Sequence, residues 1–264
     1  PAAEPPLGRL LLGLLSTLGL IMIYVVIHSF VLILQLITLN VAVNSFNSSL
    51  LALLMSNQFV ELKGSVFKKF EPEHLFQLSC SDIVERFQLS LFLMMVTLKN
   101  FSDMEWAVPQ HYMMSSVHVF VLVMVSETLV DWIKHAFITK FSAILPDIYF
   151  KFSSILSSDI LFSSKQAGVL SLDNSHGVSR RIGFVTIPIG CVTAKVIIDV
   201  LPFRGMMGAV MLFLMWLCLF AFKILIRIRM LGSCVRNHIL QDKQAYEKFS
   251  NIQRYEMWRG TVPS

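Results

Sequence analysis

The chain has 264 residues, of which 55% are hydrophobic and only 15% charged, with a formal charge of +5. An ordinary soluble domain carries roughly 25% charged residues, so a fold with one water-exposed surface is excluded. The basic residues are scattered beside apolar runs without interleaved aromatics, which argues against a nucleic-acid surface.

From residue 10 to residue 60 there is no Asp, Glu, Lys or Arg. A membrane span needs only about 20 apolar residues, so this run alone predicts an integral membrane protein. The fold class expected is all-α, a multi-pass helical membrane protein with five transmembrane helices and two amphipathic interfacial helices. The first span, 10–38, is too long to stand upright in a bilayer and must tilt or project beyond it. The N-terminal PAAEPPLGRL lacks the basic start and apolar core of a secretory signal and reads as the start of a processed or partial chain. His28, inside the first span, reads as a neutral packing histidine. Asn40, Asn44 and Asn47 follow at i, i+4 and i+7, a polar stripe suited to contact with other protein.

Residues 48–70 then show apolar positions at helical spacing with Lys63, Lys68 and Lys69 largely off the stripe, the pattern of a helix lying in the interface. Glu71-Pro72-Glu73 is expected to end it. Ser81 and Asp82 read as the start of a second span, 83–99, with Asp82 and Glu85 at capping-box spacing.

The third span, 112–132, continues into ETLVDWIKHAFITKF, with Trp132 and Lys134 marking its exit through an interface. A second amphipathic stripe covers 143–163, and 163–179 reads as a loop. The fourth span, 182–201, is expected to be kinked or delayed by Pro188 and closed by Pro202. The fifth, 206–226, leads into a polar tail at 234–264, leaving 1–233 as the membrane domain.

Lys and Arg concentrate after spans one, three and five. By the positive-inside rule, both amphipathic segments and the C-terminus are expected in the cytosol.

Three sets of residues invite a chemical reading. Glu127, Asp131 and His135 stand at i, i+4 and i+8 on one helix face, a set able to pair internally, relay a proton or contribute to a metal site. Lys134 lies three positions after Asp131, within ion-pairing reach. Lys195 and Asp199 sit at i, i+4 in the fourth span, where pairing would lower the cost of either charge. Lys68-Lys69 and Arg180-Arg181 fit topogenic charges or contacts to anionic lipid. Cys80, Cys191, Cys218 and Cys234 are too dispersed for a disulfide framework or a zinc site. No Gly-rich phosphate loop, His-Glu-x-x-His or Gly-x-Ser-x-Gly element occurs, so the expectation is a protein that is not an enzyme and uses no cofactor or metal.

Five stretches, TLNVAVNS (38–45), MSNQFVELKGSVFKKFE (55–71), SDIVERF (81–87), SETLVDWIKHAFITKF (126–141) and SRRIGF (179–184), resemble the transmembrane anterior posterior transformation protein family in the same order. The resemblance implies a eukaryotic multi-pass protein of the endoplasmic reticulum membrane, linked to a SUN-domain-type lumenal partner and to protein folding or quality control. It transfers no catalytic residues. The function expected is a non-enzymatic scaffold or adaptor that binds membrane lipids and a protein partner and supports folding, quality control or trafficking. The alternatives are an ion or small-solute transporter or channel, and an accessory subunit of a larger membrane complex.

Overall fold

A computed structural model of the chain describes residues 7–45, 52–53, 56–57, 59–60, 62–64, 68–166, 179, 182–200 and 205–259. Among the described residues, six long helices follow one another: α1 (Leu7–Asn44), α2 (Pro72–Asp103), α3 (Gln110–Phe141), α4 (Ile148–Gln166), α5 (Thr186–Val200) and α6 (Gly205–Arg259). Short helical pieces also occur between 52 and 64, and among the described residues there is no strand. The chain divides into two compact units, one built from α1, α2, α3 and α5 and the other from α4 and α6.

Among the described residues, three stretches are long and apolar enough to cross a bilayer: Leu11–Asn44 in α1, Gln110–Phe141 in α3 and Gly208–Leu240 in α6. They overlap the stretches expected as spans at 10–38, 112–132 and 206–226. Each continues further because nothing in the sequence stops it. In α1 the asparagines Asn40 and Asn44 belong to the last turns of the helix. In α6 no proline or glycine occurs between Gly232 and Gly260, so the polar tail expected from 234 onward continues as helix through Arg259. At a rise of about 1.5 Å per residue α6 reaches roughly 80 Å, well beyond a hydrocarbon core of about 30 Å.

The second expected span lies inside a longer helix, and its proposed start at Ser81 and Asp82 is corrected. α2 begins at Pro72, which occupies the first helical positions, where its fixed φ fits and its missing N–H costs nothing. Glu71 precedes it in extended conformation, and the Leu75 amide donates to the Glu71 carbonyl at 3.0 Å. Glu71-Pro72-Glu73 is thus a helix beginning as well as a boundary. Asp82 sits buried in the helix, where it does not cap an end.

α5 begins at Thr186 with Pro188 in its first turn, so the proline delays the helix without bending it. Of the stretch expected at 143–163, the part from Ile148 onward is helical as α4, which runs to Gln166 and shortens the loop expected from 163. About half of the 48–70 segment, and Pro202, lie outside the described residues.

The core of the first unit is where α1, α2, α3 and α5 meet. Leu32 and Leu39 from α1, Phe92, Leu93 and Met95 from α2, Val123 from α3, and Ile189 and Val192 from α5 form one buried cluster. The ends of these helices are tied down separately. Ser102 Oγ donates to the Val200 carbonyl at 3.0 Å, and the Phe70 amide donates to Ser142 Oγ at 3.0 Å. Between α2 and α3, Glu105 and Trp106 adopt φ of 54° and 63°, the left-handed geometry that turns the chain sharply. Most of the remaining apolar surface of α1 is exposed on the protein, as expected where acyl chains are the solvent.

Candidate functional site: a buried ion-pair network between α2 and α3

Asp82 and Arg86 are four positions apart on α2, so they share a face one turn apart. On α3, Asp131, Lys134 and His135 occupy one face by the same rule. Packing of α2 on α3 brings the two faces together.

Lys134 Nζ lies 2.8 Å from Asp82 Oδ1 and 3.0 Å from Asp131 Oδ1, bridging the helices while also pairing within α3. His135 Nε2 is 2.8 Å from Asp82 Oδ2, so both oxygens of that carboxylate are engaged. Arg86 donates to Asp131 Oδ2 from the α2 side. The side chains of Asp82, Lys134 and Asp131 are exposed by only 2%, 3% and 5%, and those of His135 and Arg86 by 18% and 28%.

Two carboxylates face one ammonium and one guanidinium, so the set is neutral when His135 is neutral. Burying a single charge in a medium without water costs several kcal/mol, whereas a fully paired set recovers much of it through short charge-assisted hydrogen bonds. Such a quartet holds two helices in one register, because sliding either by a residue would separate the pairs that cross between them, Arg86 with Asp131 and Asp82 with Lys134 and His135.

The sequence-predicted residues distribute unevenly. Asp131 and His135 join the network, but through different carboxylates, and the bridging partners Asp82 and Arg86 come from α2. Glu127 lies one turn before Asp131 on α3 and lines a cleft of about 460 Å³ with Gln35, Thr38, Glu85 and Gln88. Lys195 and Asp199 pair with each other at 2.8 Å on α5, with 69% and 53% exposure, away from the network. Lys68 and Lys69 are exposed in the segment before α2. Asn47, Arg180 and Arg181 lie outside the described residues. His28 stays local, its Nδ1 3.1 Å from the Tyr24 carbonyl one turn back.

Asn40 and Asn44 belong to a second polar cluster at the other end of α2. Asn44 Nδ2 donates to Asn40 Oδ1 at 2.7 Å and to Asn100 Oδ1 at 3.0 Å, while Asn100 Nδ2 returns a bond to Asn44 Oδ1 at 2.8 Å. Asn100 of α2 carries no signal in the sequence because it stands alone next to Lys99. Asp82 and Asn100 are 18 positions apart on α2, roughly 27 Å at about 1.5 Å per residue, close to the thickness of a bilayer's hydrocarbon core. The buried apolar residues Phe92, Leu93, Met95 and Val96 fill the interval between them.

Long apolar helices whose internal charges and amides are paired across helix contacts define a multi-pass helical membrane protein. The chain belongs to the eukaryotic membrane protein family, whose model matches residues 8–238. It is 46% identical over 212 residues to the protein TAPT1 homolog of Dictyostelium discoideum, covering 80% of this chain and 25% of that protein. It is 39% identical over 241 residues to the human transmembrane anterior posterior transformation protein 1 homolog, covering 91% of this chain and 41% of that protein. A third relative, the endoplasmic reticulum membrane protein 65 of Schizosaccharomyces pombe, is 44% identical over 176 residues, 64% of this chain and 27% of that protein. The chain thus spans well under half the length of these relatives. No solved structure matches it.

Proposed function

We propose that the chain forms the membrane core of a non-enzymatic scaffold or adaptor of the endoplasmic reticulum membrane, which binds a lumenal or membrane partner and supports protein folding, quality control or trafficking. The observation that carries this reading is the closed pairing of Asp82, Arg86, Asp131, Lys134 and His135. A scaffold needs a rigid, fully satisfied interior, whereas a carrier needs charges that exchange partners with an ion or solute. Consistent with the former, Glu127, Asp131, Lys195 and Asp199 occupy three separate environments instead of lining one cavity. The endoplasmic reticulum assignment draws on the printed name of the fission-yeast relative. The SUN-domain-type lumenal partner draws on the family resemblance, and the cytosolic placement of the C-terminus on the distribution of Lys and Arg.

Flux through proteoliposomes carrying the full-length protein separates the scaffold from the transporter. The scaffold passes no more protons or monovalent cations than empty vesicles. A flux that Asp131→Asn abolishes, with the unfolding temperature unchanged, would replace the scaffold reading with transport.

A further inference from the structure

At the end of the first unit opposite the ion-pair network, α1, α2 and α3 enclose a half-open cleft of about 600 Å³, within the range of roughly 300–1,000 Å³ typical of small-molecule sites. Its walls change character with depth. On α2, Asn100 stands at the rim and Leu93 lies seven positions further in, about 10 Å along the helix. On α3, Tyr112 and Ser116 lie at the rim, and Val119 and Phe120 line the floor toward the middle of the span. Along α2 the lining runs from Leu93 through Thr97 and Asn100 to Asp103, and along α3 from Val119 and Phe120 through Ser115 and Ser116 to Tyr112, so polar groups gather toward the turn between the two helices and apolar ones toward mid-span.

We infer that this cleft binds a neutral, hydroxyl-bearing amphiphile with its head at the rim and its apolar body on the floor. The rim offers hydroxyl and carboxamide groups, which donate to and accept from a hydroxyl. The Asn44–Asn100 amide pair fixes the α1–α2 side of the opening. The rim's charged member is Asp103, whose carboxylate disfavours a phosphate headgroup. A sterol and a monoacylglycerol share the required chemistry, and the test distinguishes them. This inference is independent of the scaffold reading.

The test uses the full-length protein in phosphatidylcholine nanodiscs containing trace photoreactive sterol, monoacylglycerol or phosphatidic acid, an anionic lipid without an alcohol headgroup, with labelled peptides mapped by mass spectrometry. At least one hydroxyl probe is expected to label residues 93–104 and 112–120 about tenfold more than the anionic probe, the discrimination that one or two hydrogen bonds provide. Labelling by the sterol alone or by the monoacylglycerol alone identifies the source. Val119→Trp, which fills the floor, is expected to abolish this labelling, whereas Val125→Trp on an exposed part of α3 leaves it intact. Should Val119→Trp fail to fold, the double variant Tyr112→Phe/Ser116→Ala, which removes two oxygens, is expected to lower labelling about tenfold. Equal labelling by the anionic probe, labelling spread along the exposed surfaces of α1 and α6, or labelling insensitive to these variants would overturn the proposal.

Discussion

Lys134 of α3 lies 2.8 Å from Asp82 of α2, with both side chains almost completely buried, and the same ammonium reaches Asp131 at 3.0 Å. One cation thereby serves two carboxylates on two helices. Its removal leaves two buried carboxylates facing one guanidinium and one imidazole, an uncompensated negative charge where water has little access.

Lys134→Met is therefore expected to be the most damaging single change in the first unit, costing about 3–5 kcal/mol, the range for breaking a buried ion pair from one side. Thermal unfolding of the purified protein in mild detergent measures it. The triple variant Asp82→Asn/Asp131→Asn/Lys134→Met removes the stranded charges as well and should unfold at a higher temperature than Lys134→Met alone. Unfolding of Lys134→Met at the wild-type temperature would show that the bridge carries no stability.

Arg86 is more exposed than Lys134 and pairs with Asp131 alone in the network. Arg86→Gln keeps a donor near Asp131, which retains its contact with Lys134, so the expected loss is about 1–3 kcal/mol. The same unfolding assay should rank it below Lys134→Met.

The reciprocal amide bonds between Asn44 and Asn100 join α1 to α2 at the opposite end of the unit. A double-mutant cycle with Asn44→Ala and Asn100→Ala should give a coupling of about 0.6–2 kcal/mol, the range measured for polar contacts between membrane helices. Zero coupling would mean that the two amides act independently.

Lys195 and Asp199 supply the contrast. Their pair lies within α5 and is largely exposed, so it holds no second helix in place. Removing both together, as Lys195→Ala/Asp199→Ala, should change stability by less than about 1 kcal/mol. A loss comparable to that of Lys134→Met would assign this pair to an interface beyond the chain.

The helical class and the long spans are legible in the sequence because uncharged apolar runs of this length have no place on a water-exposed surface. The ends of the helices are harder to read. Polar residues such as those after 234 resemble a loop or tail by composition, yet nothing in their backbone chemistry ends a helix. Pro72 reads as punctuation, but proline stops a preceding helix and starts the next one equally well.

Within the network, Asp131 and His135 stand out because they recur on one face of an apolar helix. Asp82 and Arg86 show the same signal at i, i+4 in SDIVERF, where capping-box spacing and topogenic charge offer competing readings. Which face of α2 meets which face of α3 is a tertiary fact, and no spacing within either helix encodes it. The Asn44–Asn100 bond is hidden for the same reason, with one partner visible in a stripe and the other alone 56 residues away.

The proposed function requires that this membrane core hold a partner. The most direct test is to solubilise the endogenous full-length protein in mild detergent, without overexpression, and identify what is recovered with it. The account predicts a lumenal or membrane protein in stoichiometric amount, of SUN-domain type, whose recovery falls with Lys134→Met. Recovery of the protein only as copies of itself, unaffected by that variant, would contradict it.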